Sequence, residues 1–494
     1  MNQIPKEWIL IAVGFILLSA AFFGLNRVTN IGDGSVPALP PANTGSSQIG
    51  QGSLQTNGSA ADVPPSHVVQ AGETLQGIAN QYNLPIETLI ELNAVVDPNV
   101  LSAGQRLYLP AESKGTADTT QAADVQLILI IPDSELVFGP SAKGFDVNQV
   151  VPSESYLRTY QGTVEGTPLG GIAIVQLVAE RTRVHPRLLL AALEFRTNWL
   201  TQSNPNIVNE AMMGNSAGPQ GLYGQLEWAA NRLNLGYYGR SEGGLTGITL
   251  ADGGQVLFSP EINNGTAGVQ NWLAATSDYD RWVVDASANG FYATYKNLFG
   301  DPFSYADEAF WPPNDVPEML LPWESGVTWY FTGGPHGGWI SGSGWGALDF
   351  VPPEEKFGCY ESDAWVTAVA DGVVTRSDFG AVVLDLDGDG FAGTGWAILY
   401  QHIATRDRVQ VGTKLRAGEK IGHPSCEGGY SSGTHLHIAR MYNGRWVSAD
   451  GAHPFNMSGW VSAGSGSEYN GSLSRNGTVQ DATIGRLPDN AIGE

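Results

Sequence analysis

The most informative segment of this 494-residue chain is Gly433-Thr434-His435-Leu436-His437-Ile438-Ala439. We interpret this His-x-His segment as a β-strand, in which side chains two positions apart leave the same face, roughly 7 Å apart. His435 and His437 therefore point into one site. Two imidazoles held in this way are suited to binding a metal ion or to transferring protons.

Three residues earlier in the chain complete the candidate site. They are His336 in Gly333-Gly334-Pro335-His336-Gly337-Gly338-Trp339, Asp349 in Ala347-Leu348-Asp349-Phe350, and His402 in Leu399-Tyr400-Gln401-His402-Ile403. Six of the eight histidines of the chain lie between His336 and His453. This concentration favours one shared site over a set of unrelated histidines.

The region from about Leu321 to Trp460 resembles the zinc peptidases of the lysostaphin and LytM type, which cut peptide bonds in bacterial cell walls. The resemblance implies an antiparallel all-β domain. It also implies a Zn²⁺ ion held by three metal ligands: His336, Asp349 and His437. Two further residues would assist catalysis: His402 and His435.

The interval between the first two ligands identifies a branch of this family. Its commonest form has the pattern His-x-x-x-Asp, but here Trp345 stands four positions before Asp349 and cannot bind a metal ion. The ligand must then be His336, which lies 349 − 336 = 13 positions before Asp349. This longer interval resembles the β-lytic and staphylolysin-like branch. His423 and His453 lie outside the motif, and we interpret them as structural.

Length and composition limit the classes of protein to which the chain can belong. A chain of 494 residues is too long for a single core, and the usual scaling predicts about 3 or 4 domains. The formal net charge is -24, and only 15% of the residues are charged. Binding to nucleic acid requires a clustered basic face, so we exclude nucleic acid as a partner. The composition also gives no indication of binding to anionic lipid.

Two cysteines, Cys359 and Cys426, lie inside the peptidase-like region. Structural zinc sites use clustered cysteines such as Cys-x-x-Cys, and that spacing is missing here. We favour a disulfide formed in an oxidising compartment, which would close a loop of 426 − 359 = 67 positions. Such a loop contributes on the order of 4 kcal/mol to stability. Two buried free thiols remain the alternative.

The first 65 residues divide into an apolar and a polar segment. Trp8–Leu25 has no charged residue and is about as long as a helix must be to cross the ~30 Å hydrocarbon layer of a membrane. We therefore predict a transmembrane signal anchor at residues 1–28. The charges that flank it give only a weak bias, and the motifs typical of exported proteins further along the chain indicate a cell-membrane protein whose body lies outside the cytoplasm. If the anchor is cleaved, the protein is secreted. Residues 29–65 are rich in Gly, Ser, Asn and Pro and predict a disordered linker.

Residues 66–110 predict a compact unit of strand, helix, helix and strand. Thr74 can cap a helix that carries Leu75 and Ile78 at helical spacing, and Pro85 can begin a second helix. The unit resembles a LysM module along its whole length. The resemblance implies binding to glycan that contains N-acetylglucosamine, which makes peptidoglycan the expected partner. A small helical spacer is the alternative.

Residues 111–124 predict a second linker, and residues 125–308 predict a mainly helical domain. Within the domain, the apolar run 125–131 predicts a buried strand. Pro186–Trp199 is apolar at helical spacing and has a Pro in the first turn, which predicts a helix.

The middle domain weakly resembles the lysozyme-like core of lytic transglycosylases, in which a helix leads to a catalytic Glu. When Trp199 is placed at the aromatic position of that family, Arg196 occupies the position of the Glu. Glu194 lies two residues earlier, about 200° around the helix, and cannot substitute for it. We therefore favour a glycan-binding or spacer role. An active second catalytic centre remains the alternative.

Residues 309–463 contain the peptidase-like region, in which short strands replace helices. One turn, Asp385-Leu386-Asp387-Gly388-Asp389-Gly390, has Asp at positions 1, 3 and 5 of a calcium-binding loop. Trp396 stands at position 12, where such loops carry a bidentate Glu, so we favour a polar turn over a calcium site. Residues 464–494 return to Gly, Ser and Asn and predict a disordered tail.

These observations predict a multidomain α+β protein with a small βααβ LysM module, a mainly helical lysozyme-like middle domain and an antiparallel all-β peptidase domain. The predicted function is that of a zinc metalloendopeptidase at the bacterial cell surface. It would be targeted by the LysM module and would hydrolyse peptide cross-bridges of peptidoglycan. Two alternatives remain open: a non-catalytic LytM-like scaffold that activates another cell-wall hydrolase, and a glycan-cleaving enzyme that acts through the middle domain.

Overall fold

The computed structural model describes most of the chain after residue 65. The described residues are 66–68, 75–82, 84, 86–93, 106–108, 128–206, 212–216, 218–307, 312 and 316–493. The predicted linkers at 29–65 and 111–124 lie outside these residues.

The predicted membrane localisation requires correction. Across the described part of the chain, no helix combines the length and the apolar character that are needed to cross a membrane. This finding overturns the prediction of a membrane-anchored protein. The segment on which that prediction rested, residues 1–28, lies outside the described residues.

The first described unit has the order strand, helix, helix, strand. Its elements are β1 (Ser66–Val68), α1 (Leu75–Gln81), α2 (Ile86–Asn93) and β2 (Arg106–Tyr108). β1 pairs antiparallel with β2. The buried apolar residues of the unit form a small core of their own: Leu75, Ile78, Ala79, Leu89 and Leu107.

The middle domain is mainly helical. Its helices are α3 (Asp133–Leu136), α4 (Val147–Val150), α5 (Tyr156–Thr159), α6 (Gly171–Thr182), α7 (Pro186–Thr197), α8 (Gly221–Ser241), α9 (Asn264–Ala274), α10 (Tyr279–Asp285) and α11 (Phe291–Phe299). Two antiparallel hairpins accompany them: β3 (Gln161–Val164) with β4 (Thr167–Gly170), and β5 (Gly247–Thr249) with β6 (Gln255–Leu257).

Helix α7 shows how the sequence forms this domain. His185 precedes the helix, and its Nδ1 accepts a hydrogen bond from the Arg187 N–H at 3.0 Å, while Pro186 occupies the first turn. Every residue from 188 to 193 is buried. A helix that is apolar on all sides belongs inside a domain, which agrees with the apolar run that predicted it.

Residues 128–131 form no strand, although the apolar run 125–131 predicts one. Ile130 and Ile131 are buried, but their backbone groups bond to side chains at the start of α9. The Ile130 N–H donates to Thr266 Oγ1 at 2.8 Å, and Asn263 Nδ2 donates to Ile131 O at 2.7 Å. The predicted strand is wrong for these residues, because apolar composition alone does not distinguish a strand from another buried segment.

The peptidase-like domain is built of β-strands. They are β7 (Trp329–His336), β8 (Ala347–Val351), β9 (Val366–Thr367), β10 (Gly372–Asp378), β11 (Ala381–Asp385), β12 (Trp396–Gln401), β13 (Lys414–Leu415), β14 (Lys420–Gly422), β15 (Leu436–Tyr442), β16 (Arg445–Trp446), β17 (Asn456–Met457), β18 (Trp460–Gly464), β19 (Gly471–Arg475), β20 (Thr478–Asp481) and β21 (Ala491–Ile492).

One antiparallel sheet dominates this domain. Its spatial order is β13-β10-β11-β12-β15-β8-β7-β21, and β16 pairs with β15. A second, four-stranded sheet has the order β17-β18-β19-β20. The expected antiparallel β architecture is therefore present.

The two faces of the large sheet contact different partners. On β15, Leu436 and Ile438 face the core of the peptidase-like domain. Ala439 and Met441 point to the opposite face and join the buried cluster of the middle domain. His437 shares that face, because side chains alternate along a strand. The middle domain thus packs against the face of the sheet that carries His437.

Residues 464–493 are ordered, which corrects the prediction of a disordered tail at 464–494. β19 and β20 continue the four-stranded sheet, and β21 pairs with the outer edge of β7. Leu473 and Ile492 are buried in the core of the peptidase-like domain. The Gly-, Ser- and Asn-rich composition did not predict these strands. They are short and need only a few apolar side chains, such as Leu473 and Ile492, to pack against the core.

Candidate metal centre

Three neighbouring strands bring the predicted metal ligands together. Asp349 on β8 lies directly opposite His437 on β15. His336 is the last residue of β7, which pairs with β8 on its other side. All three side chains are buried. The structure therefore groups the three residues, and their role as ligands stays a prediction.

The ligand atoms of these side chains form a small triangle. His336 Nε2 is 3.0 Å from His437 Nδ1 and 3.3 Å from Asp349 Oδ1. His437 Nδ1 is 3.1 Å from Asp349 Oδ1. Donors ~2.0–2.1 Å from a tetrahedral Zn²⁺ ion lie roughly 3.3–3.4 Å from one another. Two nitrogens and one carboxylate oxygen at these separations fit a zinc ion with a fourth position left for water.

Backbone carbonyls fix the orientation of both candidate histidine ligands. His336 Nδ1 lies 2.8 Å from Gly334 O, and His437 Nε2 lies 3.0 Å from Gly338 O. Because only a protonated ring nitrogen can donate to a carbonyl, the opposite nitrogen of each neutral ring keeps its lone pair. These are His336 Nε2 and His437 Nδ1, which point at one another. Such supporting hydrogen bonds are typical of metal-binding histidines.

The electrostatics of the triangle favour a bound cation. Burial opposes the ionisation of Asp349, but the His336 and His435 rings outweigh it and hold the pKa of this carboxyl well below its usual range. Burial lowers the pKa of His437, against the opposing effect of Asp349. At His336, burial is outweighed by the effect of Asp349, which raises the pKa of the imidazole. A bound cation would take the place of the proton on His336, because metal binding requires a charged carboxylate and neutral imidazoles.

Two glycines allow β7 to approach its neighbours closely. A Cβ atom on Gly333 would lie 2.6 Å from Asp349 Oδ2, and a Cβ atom on Gly334 would lie 2.5 Å from the carbonyl carbon of Asn470. Neither separation is compatible with a side chain, so both positions require glycine. The Gly-Gly-x-His motif is thus explained by the space around the site.

The two predicted catalytic histidines lie together beside the triangle. The ring centroids of His402 and His435 are 4.4 Å apart, and those of His402 and His437 are 6.3 Å apart. His402 Nδ1 lies 3.0 Å from Glu427 O, and His435 Nδ1 lies 2.8 Å from Gly433 O. Each ring therefore donates to a backbone carbonyl through Nδ1.

His402 is held in an unusual environment. It adopts a φ of 64°, a left-handed conformation that is uncommon for residues other than glycine and is often found at functional sites. The Ser425 N–H and Ser425 Oγ both donate to its carbonyl oxygen. Burial, assisted by His435 and His437, holds the pKa of His402 well below its usual value. Its imidazole is therefore neutral and can accept a proton.

The predicted disulfide between Cys359 and Cys426 is confirmed. It joins two segments that border the site. Thr434, next to His435, bonds to the first segment through its N–H, which donates to Gly358 O at 3.0 Å. Glu427, next to Cys426, accepts the hydrogen bond from His402. The bridge thus ties together the segments that bond to His402 and to Thr434, the residue before His435.

The middle domain contacts the loops around the site. The Trp339 Nε1–H donates to Glu227 Oε1 of α8 at 3.3 Å, and the Arg181 guanidinium of α6 lies 4.8 Å from the Trp339 ring centroid. The Gly429 N–H donates to Glu165 Oε1 at 3.1 Å. Sequence reasoning did not predict these contacts, since no local pattern records which surfaces of two domains meet.

One residue beside His336 was also missed. The ring of Tyr469 stacks on the His336 imidazole, with centroids 4.2 Å apart and an interplanar angle of 21°. Tyr469 lies in the segment predicted to be disordered. A lone aromatic residue within a Gly- and Ser-rich stretch was the only available signal.

The two histidines outside the motif, His423 and His453, lie apart from the candidate ligands, and their structural role stays a prediction. His423 Nδ1 lies 2.9 Å from Ala364 O, and its ring packs on Trp365 with centroids 3.9 Å apart. The backbone oxygen of His453 accepts a hydrogen bond from Arg440. Neither residue belongs to the group of three candidate ligands.

The acidic turn between β11 and β12 brings three carboxylates together. One oxygen from each of Asp385, Asp387 and Asp389 lies within 4.8 Å of the others. Lys143 Nζ of the middle domain lies 2.6 Å from Asp389 Oδ2 and supplies a positive charge. The polar turn, with calcium as the alternative, stays a prediction.

Glu194 has a structural position in the middle domain. Its Oε2 accepts hydrogen bonds from the N–H groups of Leu200 and Thr201, at 2.8 and 3.3 Å. Arg196 pairs with Asp285 at 3.5 Å. These contacts agree with the argument against a transglycosylase centre, and the lysozyme-like character of the domain stays a prediction.

Comparison with known families identifies three regions of the chain. Residues 67–110 match the LysM domain, residues 129–313 match the N-terminal domain of LasA, and residues 357–449 match peptidase family M23. The last match includes His402, His435 and His437, whereas His336 and Asp349 lie before it.

Similar proteins include Protease LasA from two strains of Pseudomonas aeruginosa, each 26% identical over 292 residues. The match covers 54% of this chain and 65% of each relative, so the chain spans less than two thirds of their length. Among solved structures, the M23 metalloprotease pseudoalterin from the deep sea is 28% identical, with 35% of this chain and 99% of that chain covered and a TM-score of 0.29.

The catalytic domain of lysostaphin from Staphylococcus simulans is 23% identical, with 25% of this chain and 89% of that chain covered and a TM-score of 0.18. The sequence matches, together with the grouping of His336, Asp349 and His437, lead to one conclusion. The chain carries a domain of peptidase family M23, preceded by a LysM domain and a LasA-type N-terminal domain.

Proposed function

We propose that this protein is a zinc metalloendopeptidase that hydrolyses peptide cross-bridges of peptidoglycan. One observation carries the proposal: the 3.0–3.3 Å triangle of His336, Asp349 and His437, whose donor atoms fit a zinc ion. The match to peptidase family M23 supports the same reaction class. The relatives named Protease LasA support a protease more generally.

A zinc ion held by these three residues would lower the pKa of a water molecule toward ~7 and polarise the scissile carbonyl. The protein's own residues would do the rest. His402 and His435 each donate to a backbone carbonyl through Nδ1, so Nε2 is the nitrogen that would act in the site. The neutral His402 would take a proton from the attacking water and pass it to the leaving amine, and His435, when protonated at Nε2, would donate to the developing oxyanion; the two roles could also be exchanged.

The LysM domain would bring this site to its substrate. By resemblance, it would bind glycan that contains N-acetylglucosamine, the polymer to which the stem and cross-bridge peptides are attached. Attachment to one part of a polymer raises the effective concentration of the enzyme at neighbouring bonds. The disulfide supports a site of action outside the reducing cytosol.

The complete set of five residues argues against a non-catalytic scaffold. Such a scaffold requires none of the ligands, yet both the triangle and the two histidines beside it are present. Glu194 gives no support to a glycan-cleaving centre, because its carboxylate is engaged by backbone N–H groups.

The proposal can be tested with the purified protein in two measurements. Metal analysis should give one zinc per chain, and mass spectrometry of digested peptidoglycan should give fragments produced by cleavage of peptide bonds. His437→Ala should remove both, whereas His453→Ala, a histidine outside the site, should remove neither. A protein that digests peptidoglycan without zinc, or that releases only glycan fragments, would contradict the proposal.

A further inference from the structure

The segment 468–470 is attached to the backbone around His336. The Gly334 N–H donates to Tyr469 O at 2.8 Å, and the Tyr469 N–H donates to Pro335 O at 3.1 Å. The Gly337 N–H donates to Glu468 Oε1 at 3.3 Å. Three hydrogen bonds therefore connect this segment to the residues immediately before and after His336.

The Tyr469 side chain restrains a motion that the other contacts of His336 leave open. Its ring lies 4.2 Å from the imidazole, nearly parallel to it. The N–H group and the lone pair of an imidazole lie in the plane of the ring, so the contacts made by His336 Nδ1 and Nε2 resist tilting of the ring only weakly. A ring stacked on the face of the imidazole opposes this tilt directly.

The backbone of Tyr469 is strained in a way that argues for a specific position. Its φ is 63°, which is unusual for an aromatic residue and costs roughly 1–2 kcal/mol. The hydrogen bonds from the Gly334 N–H and to Pro335 O hold the Tyr469 backbone in that conformation. Its side chain is 50% exposed, so burial in the apolar core does not account for its placement.

We infer that Tyr469 is a positioning residue of the metal centre, which holds the His336 imidazole in the orientation needed for metal binding. The inference rests on the proposed function, because it assumes that His336 is a zinc ligand. It adds to the centre a residue beyond the region that matches peptidase family M23. Residues around metal ligands typically change metal affinity 10- to 100-fold when they are replaced.

Three variants of the full chain separate positioning from folding. Tyr469→Asn removes the ring but retains a residue that tolerates a positive φ. Tyr469→Phe keeps the ring. Val479→Ala is the matched control, since Val479 is an exposed residue of β20 in the adjacent sheet. Zinc affinity is measured by competition with a chromophoric chelator, and the Co²⁺-loaded forms are compared by their visible absorption spectra.

We expect Tyr469→Asn to bind zinc at least tenfold more weakly and to shift the Co²⁺ absorption bands. Tyr469→Phe should stay within threefold of the unmodified chain, and Val479→Ala should be unchanged. Equal zinc affinity and an unchanged spectrum in Tyr469→Asn would overturn the inference. So would an equal loss in Tyr469→Phe, because that variant retains the stacked ring.

The measurement on the unmodified chain separates this inference from the proposed function. If the unmodified chain binds no zinc, the proposed function fails. If it binds zinc and Tyr469→Asn binds it equally well, only the positioning role fails. Thermal unfolding of the metal-free proteins provides the check on folding. If Tyr469→Asn is unfolded while Tyr469→Phe is folded, the ring is needed for the stability of the domain. That result would overturn a role confined to the metal centre.

Discussion

His437 Nδ1 and Asp349 Oδ1 lie 3.1 Å apart on directly opposed residues of neighbouring antiparallel strands. Strand pairing therefore sets the separation of two candidate ligands, and only His336 reaches the site from a third strand. A site fixed by a strand register tolerates little change in any one of its members, and this gives the first prediction.

His437→Ala should abolish zinc binding, because a three-ligand site that loses one imidazole cannot hold the ion. We expect the zinc content of the purified variant to fall at least 100-fold under dialysis conditions in which the unmodified protein retains it. His453→Ala serves as the control. Retention of one zinc per chain by the His437→Ala variant would refute the assignment of His437 as a ligand.

His402→Ala should keep the metal and lose most of the turnover. His402 lies beside the triangle but is not part of it, and its proposed role is proton transfer. Loss of a general acid or base typically lowers kcat by about 10²- to 10⁴-fold. Metal analysis and peptide cleavage are measured on the same preparation. A variant that loses zinc as readily as His437→Ala would show that the separation of ligands from catalysts is incorrect.

Reduction of the Cys359–Cys426 bridge should lower stability and weaken zinc binding together. The bridge joins the segment that supports His435 to the segment that supports His402. We expect a loss of about 2–5 kcal/mol in the free energy of unfolding. Urea denaturation and zinc competition with the double variant Cys359→Ser/Cys426→Ser provide the measurements. An unchanged zinc affinity in a measurably destabilised variant would restrict the bridge to a role in folding.

Glu194→Gln should leave peptidoglycan digestion unchanged but destabilise the middle domain. The carboxylate accepts two backbone hydrogen bonds, and weakening charge-assisted bonds of this kind costs about 1–3 kcal/mol. Digestion products are compared by mass spectrometry. The appearance of anhydro-muramyl products from the unmodified protein, and their absence with this variant, would restore a transglycosylase centre.

Asp385 should make the stability of the protein depend on pH. Burial, together with the nearby Asp387 and Asp389 carboxylates, raises the pKa of Asp385 to about 6. The hydrogen bond from the Gly390 N–H acts in the opposite direction and lowers it. Because the folded state holds this proton more tightly than the unfolded state, the contribution of Asp385 to stability falls as the pH rises from about 4 to 6.

The upper limit of this effect is about 3 kcal/mol. We expect about 1–2 kcal/mol, because the other two carboxylates are exposed to solvent. Asp385→Asn should remove this part of the pH dependence in urea denaturation at pH 4 to 7. The measurement is made in buffer without divalent cations. If the free energy of unfolding changes equally with pH in the two proteins, the prediction is contradicted.

The grouping of the three candidate ligands could be predicted because each of them lies in a short motif with a defined spacing. His336, Asp349 and His437 are recognisable without knowledge of their neighbours in space. Tyr469 was not predictable in this way, since its contact with His336 spans more than a hundred residues and follows no local periodicity. The same reason applies to Arg181 and Glu227, whose contacts with Trp339 depend on how two domains pack.

The C-terminal strand β21 has a consequence for the behaviour of the protein in solution. An outer strand with unpaired N–H and C=O groups is a template on which another chain can add a strand, which is a route to aggregation. β7 carries His336 and would be such an edge, but β21 pairs with Trp329 and Tyr330. β21 thus occupies the first two positions on the outer edge of the strand that carries a candidate ligand, where another chain could otherwise begin to pair.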